Sequence, residues 1–370
     1  MAIDIRTAVQ AAAGVAETLT LMKQALKGVV SEAILEDKAE LVFAINRLKR
    51  EKRAVILGHN YMEPALYQTI PDHVGDSLEL SRIAAKTDAD IIVFCGVRFM
   101  AETAKILNPK KLVLLPSDRA GCSLAAAITG DDVRALKRRF KGAPVVSYVN
   151  TYADVKAETD ICCTSSNAAE VVQYLLDRGH KRVIFLPDEY LGTNVAHDLG
   201  LPIFFPDEAD PGHERALIGW RGRCEVHEQF TVADVQQARS VNPNVVVLAH
   251  PECSRPVVEA ADFSGSTKQM IRYVKENNAP EFLLLTECSM GDNIVAENPD
   301  KNLLRLCSVR CPHMKQITLE DTYAALVHLR HRIELDADTI ERSRASLERM
   351  IAIGGGAPVA ASSAAPAHSS

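Results

Sequence analysis

Between residues 54 and 286, short runs of β-branched and other apolar residues alternate with stretches whose apolar positions recur every three to four residues. The short runs are Ala54 to Leu57, Ile91 to Phe94, Leu112 to Leu115, Val145 to Val149, Ile161 to Thr164, Val183 to Leu186, Val245 to Ala249 and Phe282 to Thr286. Runs of this length, apolar throughout, predict strands buried on both faces, and their alternation with helical periodicity predicts parallel-sheet α/β layers. Ahead of them, Val15, Leu19, Met22 and Leu26, then Leu41, Ile45 and Leu48, predict a helical wrap over residues 8–50.

The first strand of a unit recurs at Ala54, Pro144 and Asn244, a repeat of roughly 90 to 100 residues. Each ends in a polar tag: Gly58-His59-Asn60-Tyr61, Tyr148-Val149-Asn150-Thr151 and His250-Pro251-Glu252. Ligands of open α/β sheets collect at the carboxyl ends of the strands, where all three tags fall. The expected organisation is an N-terminal helical segment (1–50), three α/β units (51–142, 143–240, 241–350) and a Gly/Ala/Ser/Pro tail (351–370) too poor in apolar residues to join a core. If the units meet around a pseudo-threefold axis, their tags face one central cavity.

The 370 residues are 47% hydrophobic, enough for one large core or two to three small ones. A net charge of -6 and a pI near 6.0 argue against a nucleic-acid partner. The basic stretches Lys137 to Arg139 with Lys141, and Lys49 to Arg53, read as solvated helix surface. No apolar run reaches the length of a membrane span, and MAIDIRTAVQ is not a secretory signal, so the expected location is the cytosol. Nine cysteines in a reducing compartment are not a disulfide framework.

Cys122, Cys224 and Cys311 fall one to a unit in polar loops, the pattern of interest for metal binding. From spacing alone they fit structural thiols as well as they fit ligands, for no CxxC pair is present. Cys95, Cys162, Cys163 and Cys288, in or beside apolar strands, are expected to be structural, and Cys253 and Cys307 stay open. Helix starts are marked by Asp76-Ser77-Leu78-Glu79, by Thr164-Ser165-Ser166-Asn167 and by Ser266-Thr267-Lys268-Gln269. Free N–H groups and a positive dipole end suit such starts to carboxylates and phosphates, although any one of them taken alone is an ordinary cap.

His59-Asn60-Tyr61, Gly75-Asp76-Ser77-Leu78, the run Cys95 to Ala104, Tyr148-Val149-Asn150-Thr151, Thr164-Ser165-Ser166-Asn167 and His250-Pro251-Glu252-Cys253, in this order, resemble the signatures of the quinolinate synthase family over residues 40–345. The resemblance implies three homologous three-layer α/β/α domains around a pseudo-threefold axis. It also implies a [4Fe-4S] cluster held by Cys122, Cys224 and Cys311, with one iron left open as a Lewis acid. The implied reaction condenses iminoaspartate with dihydroxyacetone phosphate to quinolinate for NAD biosynthesis, the imine coming from an aspartate oxidase or dehydrogenase. By motif match His59 and Tyr61 orient and deprotonate the triose-derived part, Tyr148 and Asn150 line the cavity, and Glu252 is the general base. His250, Ser266 and Thr267 clamp an anion, with Ser77 and Ser165 adding donors.

Two departures stand out: a proline-bearing insert over His197 to Gly219, and Arg221 where the family often has proline. Cys307, four residues before Cys311, is expected to be a buried spectator. A diphthamide-synthesis type enzyme shares the implied architecture, but the His-Asn-Tyr and His-Pro-Glu tags speak against it. A sensor that binds without turnover would use the same cavity.

Overall fold

The computed structural model describes residues 5–305 and 309–353; Cys307 and residues 354–370 lie outside them. The N-terminal segment is three helices rather than one wrap: Ile5–Ala11, Val15–Ala25 and Glu32–Glu51. Gly14 caps the second, and Gly28, at a φ of 76°, turns the chain before Ser31 caps the third. Met22, Leu26 and Ile45 are buried as the periodicity requires, whereas Val15 at the first turn is exposed.

Three parallel sheets follow. The first contains β1 (Ala54–His59), β2 (His73–Gly75), β3 (Ile91–Cys95) and β4 (Leu112–Leu114), in the order β2-β1-β3-β4. The second contains β5 (Val145–Tyr148), β6 (Ile161–Cys163), β7 (Arg182–Leu186), β8 (Ile203–Phe204) and β9 (Ala216–Ile218), in the order β6-β5-β7-β9-β8. The third contains β10 (Val246–Ala249), β11 (Phe263–Ser264), β12 (Glu281–Leu285) and β13 (Asn302–Arg305), in the order β11-β10-β12-β13. One plan is thus used three times. It is pinned each time by an aspartate before the second strand: Asp72, Asp160 and Asp262 accept the backbone N–H of Ile56, Val145 and Val247 at 2.8, 2.7 and 2.8 Å.

The insert over residues 197–219 supplies β9 and one extra edge strand, β8. Arg221 holds the loop between them: its guanidinium lies over the Phe205 ring at 4.2 Å and pairs with Asp207, Glu208 and Glu189. Proline could make none of these contacts.

The sheets are chained together. Helix Gly130–Arg139, which follows Cys122, packs its Val133 and Leu136 with Val145 and Ile184 of the second sheet. Helix Val232–Val241, which follows Cys224, packs Val235 with Val247 and Leu285 of the third. Helix Leu319–His328, which follows Cys311, returns to the first, where the Thr322 hydroxyl meets the Cys95 thiol at 3.7 Å. The last helix, Ala337–Ala352, lies across the first two units, and Ile353 is buried. Residues 351–353, expected in the tail, are therefore packed structure.

One surface assignment needs correcting. Lys49 is buried, its Nζ donating to the Ile70 carbonyl at 2.8 Å and pairing with Asp72 at 2.9 Å. It faces inward because helix Glu32–Glu51 lays that side on the first sheet, and the Asp72 carboxylate compensates its charge.

Candidate functional site

The carboxyl ends of β1, β5 and β10 converge on one cavity. Its wall includes His59, Tyr61, Ser77, Tyr148, Asn150, Ser165, His250, Glu252 and Thr267, together with all three loop cysteines. Of the candidate residues only Ser266 stays out of the wall: its hydroxyl caps helix Thr267–Glu276, accepting the Gln269 N–H at 3.4 Å, and sits 3.4 Å from Asp76 Oδ2. Cys95, Cys162, Cys163, Cys253 and Cys288 are buried in the packing around the sheets, and no disulfide joins any of the eight described cysteines.

The cysteine loops share a spacing that the strand pattern did not expose. Cys122, Cys224 and Cys311 are each followed by a 3-10 turn, at Ala125–Ala127, His227–Gln229 and Met314–Gln316. Each turn leads into a threonine-capped helix whose third residue is aspartate: Thr129 with Asp132, Thr231 with Asp234, Thr318 with Asp321. Cys-x6-Thr-x2-Asp therefore occurs three times without a gap. Burial pushes the Cys122 thiol up to about 12 and that of Cys311 to about 11, and raises Cys224 well above its ordinary value. Thiols so placed ionise when a metal compensates their charge.

The spacing also aligns His227 with Ala125 and Met314, a residue that sequence reasoning left without a role although it lies at the centre of the site. His227 Nδ1 is 2.7 Å from Glu252 Oε2 and 3.2 Å from Cys224 Sγ. Its Nε2 is 3.0 Å from the Thr286 hydroxyl, which is 2.6 Å from the Tyr61 hydroxyl. Asn150 donates to Glu252 Oε1 at 3.3 Å, and the His250 ring stacks on His227 at 4.5 Å. Thr286, the last residue of a predicted strand, was likewise missed; only its place past the carboxyl end of β12 marks it.

Burial alone would raise the Glu252 carboxyl, but His227 and His250 outweigh it and hold the group ionised, below the usual carboxylate range. Burial lowers His59 to about 3, so its ring is neutral. His59 Nδ1 accepts the Tyr61 N–H at 3.2 Å, which leaves the ring proton on Nε2. Burial, then the Glu252 charge, raises the Tyr61 and Tyr148 phenols, which stay protonated donors.

Three helix N-termini complete the wall. Ser77–Lys86 is capped by Asp76, which accepts the Glu79 N–H at 2.9 Å; Ala168–Asp177 starts behind Thr164 and Ser165; Thr267–Glu276 starts with a capping box of Ser266 and Gln269. No lysine or arginine is among the described residues of the wall. An anion there is met by backbone N–H groups, hydroxyls and the neutral His59 ring.

The sequence model of the quinolinate synthetase A protein matches residues 43–352. The chain belongs to the quinolinate synthetase A family. It is 50% identical over 315 residues to the quinolinate synthase of Caulobacter vibrioides, covering 85% of this chain and 82% of that one. It is 51% identical over 310 residues to quinolinate synthase 2 of Mesorhizobium japonicum, covering 84% and 90%. With the quinolinate synthase of Agrobacterium fabrum it shares 50% over 312 residues, covering 84% and 85%.

As an enzyme of the quinolinate synthetase A family, the chain offers donor sets compatible with a metal cofactor. Cys224, His227 and Glu252 place their ligand atoms within 4.8 Å of one another, and Cys122 and Cys311 open onto the same cavity. His227 and Glu252 already satisfy each other at 2.7 Å, whereas the three half-buried thiols face a wall with no lysine or arginine among its described residues. Thiolate sulfur is the donor that iron-sulfur clusters take. No helix among the described residues is long and apolar enough to cross a membrane.

Proposed function

We propose that this chain is a quinolinate synthase that condenses iminoaspartate with dihydroxyacetone phosphate, releasing phosphate and water, in NAD biosynthesis. The observation that carries the reading is the convergence of three equivalent cysteine loops on the cavity that also holds Glu252, Tyr61 and Tyr148. Cys122, Cys224 and Cys311 would hold a [4Fe-4S] cluster. When bound, it supplies a Lewis-acidic iron, since three thiolates leave one iron free for a substrate oxygen or nitrogen.

The chain's own residues do the rest. The substrate carboxylates and the phosphate are bound at the helix starts by Ser77, Ser165 and Thr267. His59, protonated on Nε2, orients a substrate oxygen as a hydrogen-bond donor. Glu252, ionised and aimed by His227 and Asn150, accepts the proton lost from substrate carbon. The Tyr61 and Tyr148 phenols are proton donors toward departing oxygen, and Tyr61 is linked to Glu252 through Thr286 and His227.

On this reading the imine, which water hydrolyses, is delivered by an aspartate oxidase or dehydrogenase, and the enzyme works in the cytosol. The decisive test is anaerobic turnover of the two substrates to quinolinate, with iron and sulfide counted in parallel. The expected result is about four irons per chain, lost with activity in Cys122→Ser, Cys224→Ser and Cys311→Ser and retained in Cys95→Ser and Cys288→Ser. An iron-free chain that still turns over, or a loaded chain that makes no quinolinate, would overturn the reading.

A further inference from the structure

Tyr61, Asn150 and Glu252 line the cavity from turns past the ends of β1, β5 and β10, with no regular ladder to fix them, yet each turn is gripped in one way. Asn293 Nδ2 donates to the Asn60 and Met62 carbonyls at 3.2 and 2.9 Å, the two that flank Tyr61. Asn194 Nδ2 donates to the Pro251 and Cys253 carbonyls at 2.9 and 3.0 Å, the two that flank Glu252. Lys156 Nζ donates to the Val149 carbonyl at 2.9 Å and to that of Thr151, the two that flank Asn150. All three donors are buried.

Each asparagine is the sixth residue of the helix that follows its sheet's third strand, Glu189–Asp198 and Cys288–Glu297, and each reaches into the turn of the next sheet round the ring. The sixth residue of the matching helix Arg98–Leu107 is Thr103, which carries no amide, and its hydroxyl donates to the Phe99 carbonyl at 2.8 Å. The turn that this helix would serve is the one that Lys156 holds instead. Both asparagines leave Oδ1 buried without a partner, so only their N–H groups are used.

We infer that Asn293, Asn194 and Lys156 are positioning residues that hold the catalytic turns, one donor spanning the carbonyls on either side of Tyr61, Glu252 and Asn150. Each works through the backbone: with both flanking carbonyls tethered, the middle residue has one direction in which to send its side chain. Tyr61 and Glu252 are thereby set by helices of neighbouring units, which ties the geometry of the site to the docking of the sheets.

The assignment rests on the proposed reaction only in its kinetic arm. In the full-length, cluster-loaded protein, hydrogen exchange should quicken at least about tenfold over residues 59–63 in Asn293→Ala, over 250–254 in Asn194→Ala and over 148–152 in Lys156→Met. Each variant should leave the other two turns unchanged. Per loaded site, kcat should fall at least about tenfold while KM stays within about threefold. Asn293→Leu and Asn194→Leu, close in volume but without donors, should behave like the alanine variants, which separates lost donation from a lost fit. Exchange that quickens in all three turns together or in none, or a kcat unchanged where a turn has loosened, overturns the assignment. A wild-type protein that makes no quinolinate would instead retire the functional reading, and local exchange would still decide whether the turns are held this way.

Discussion

At the scale of single residues, the site is a set of groups whose charge states are fixed by burial and by one another. Tyr61 bonds Thr286 at 2.6 Å and approaches His227 at 3.4 Å. Tyr61→Phe removes the hydroxyl and keeps the ring, so stability should fall by about 1 kcal/mol while turnover drops by about a hundredfold or more; thermal melting alongside steady-state rates checks both. The tags themselves were legible, because His59, Tyr61, Asn150 and Glu252 end strongly apolar strands. His227 was not, because it follows no strand and the helical and strand periodicities say nothing about a 3-10 turn. Ser266 was legible as a cap, and a residue that caps its own helix has its hydroxyl engaged there instead of in the cavity.

At the scale of elements, the hub is Glu158, at the end of helix Ala153–Ala157. It joins Arg134 at 2.7 Å, Lys137 at 3.6 Å and Arg342, drawing together helices 130–139 and 337–352. Burial alone would raise its carboxyl, yet the hydrogen bonds from Arg342 and Arg134 win and lower it. A folded-state value below the unfolded one stabilises above the ordinary carboxylate range and is lost as the pH falls through the folded value. Glu158→Gln should therefore cost about 1 to 2 kcal/mol at pH 7, a deficit that closes on acidification, as melting temperatures from pH 7 to 3 would record. Leu347, fully buried in the last helix, tests the same docking by packing: Leu347→Ala should cost about 2 to 4 kcal/mol in urea unfolding. The long apolar strands were legible. β2, β8, β9, β11 and β13 were not, because their apolar runs are three residues or fewer, too short to stand out from the surrounding loops, and such strands form beside a neighbour already in place.

At the scale of the whole molecule, each cysteine loop lies where the chain passes from one unit to the next, so a cluster at Cys122, Cys224 and Cys311 would pin all three crossings at once. Anaerobic removal of iron by a chelator should lower the melting temperature by several degrees and broaden the transition; an unchanged melt would separate the cofactor from the architecture. The threefold plan was legible only through β1, β5 and β10 with their tags, while the cyclic packing of the helices depends on contacts far apart in sequence. The wall that results has a further consequence. With no lysine or arginine among the described residues of the wall, the phosphate of the proposed substrate would be held mainly by N–H dipoles and hydroxyls, with little to keep it there once released. Free phosphate should be a feeble inhibitor, and what inhibition it gives should barely respond to added salt, unlike that of a site built on arginine.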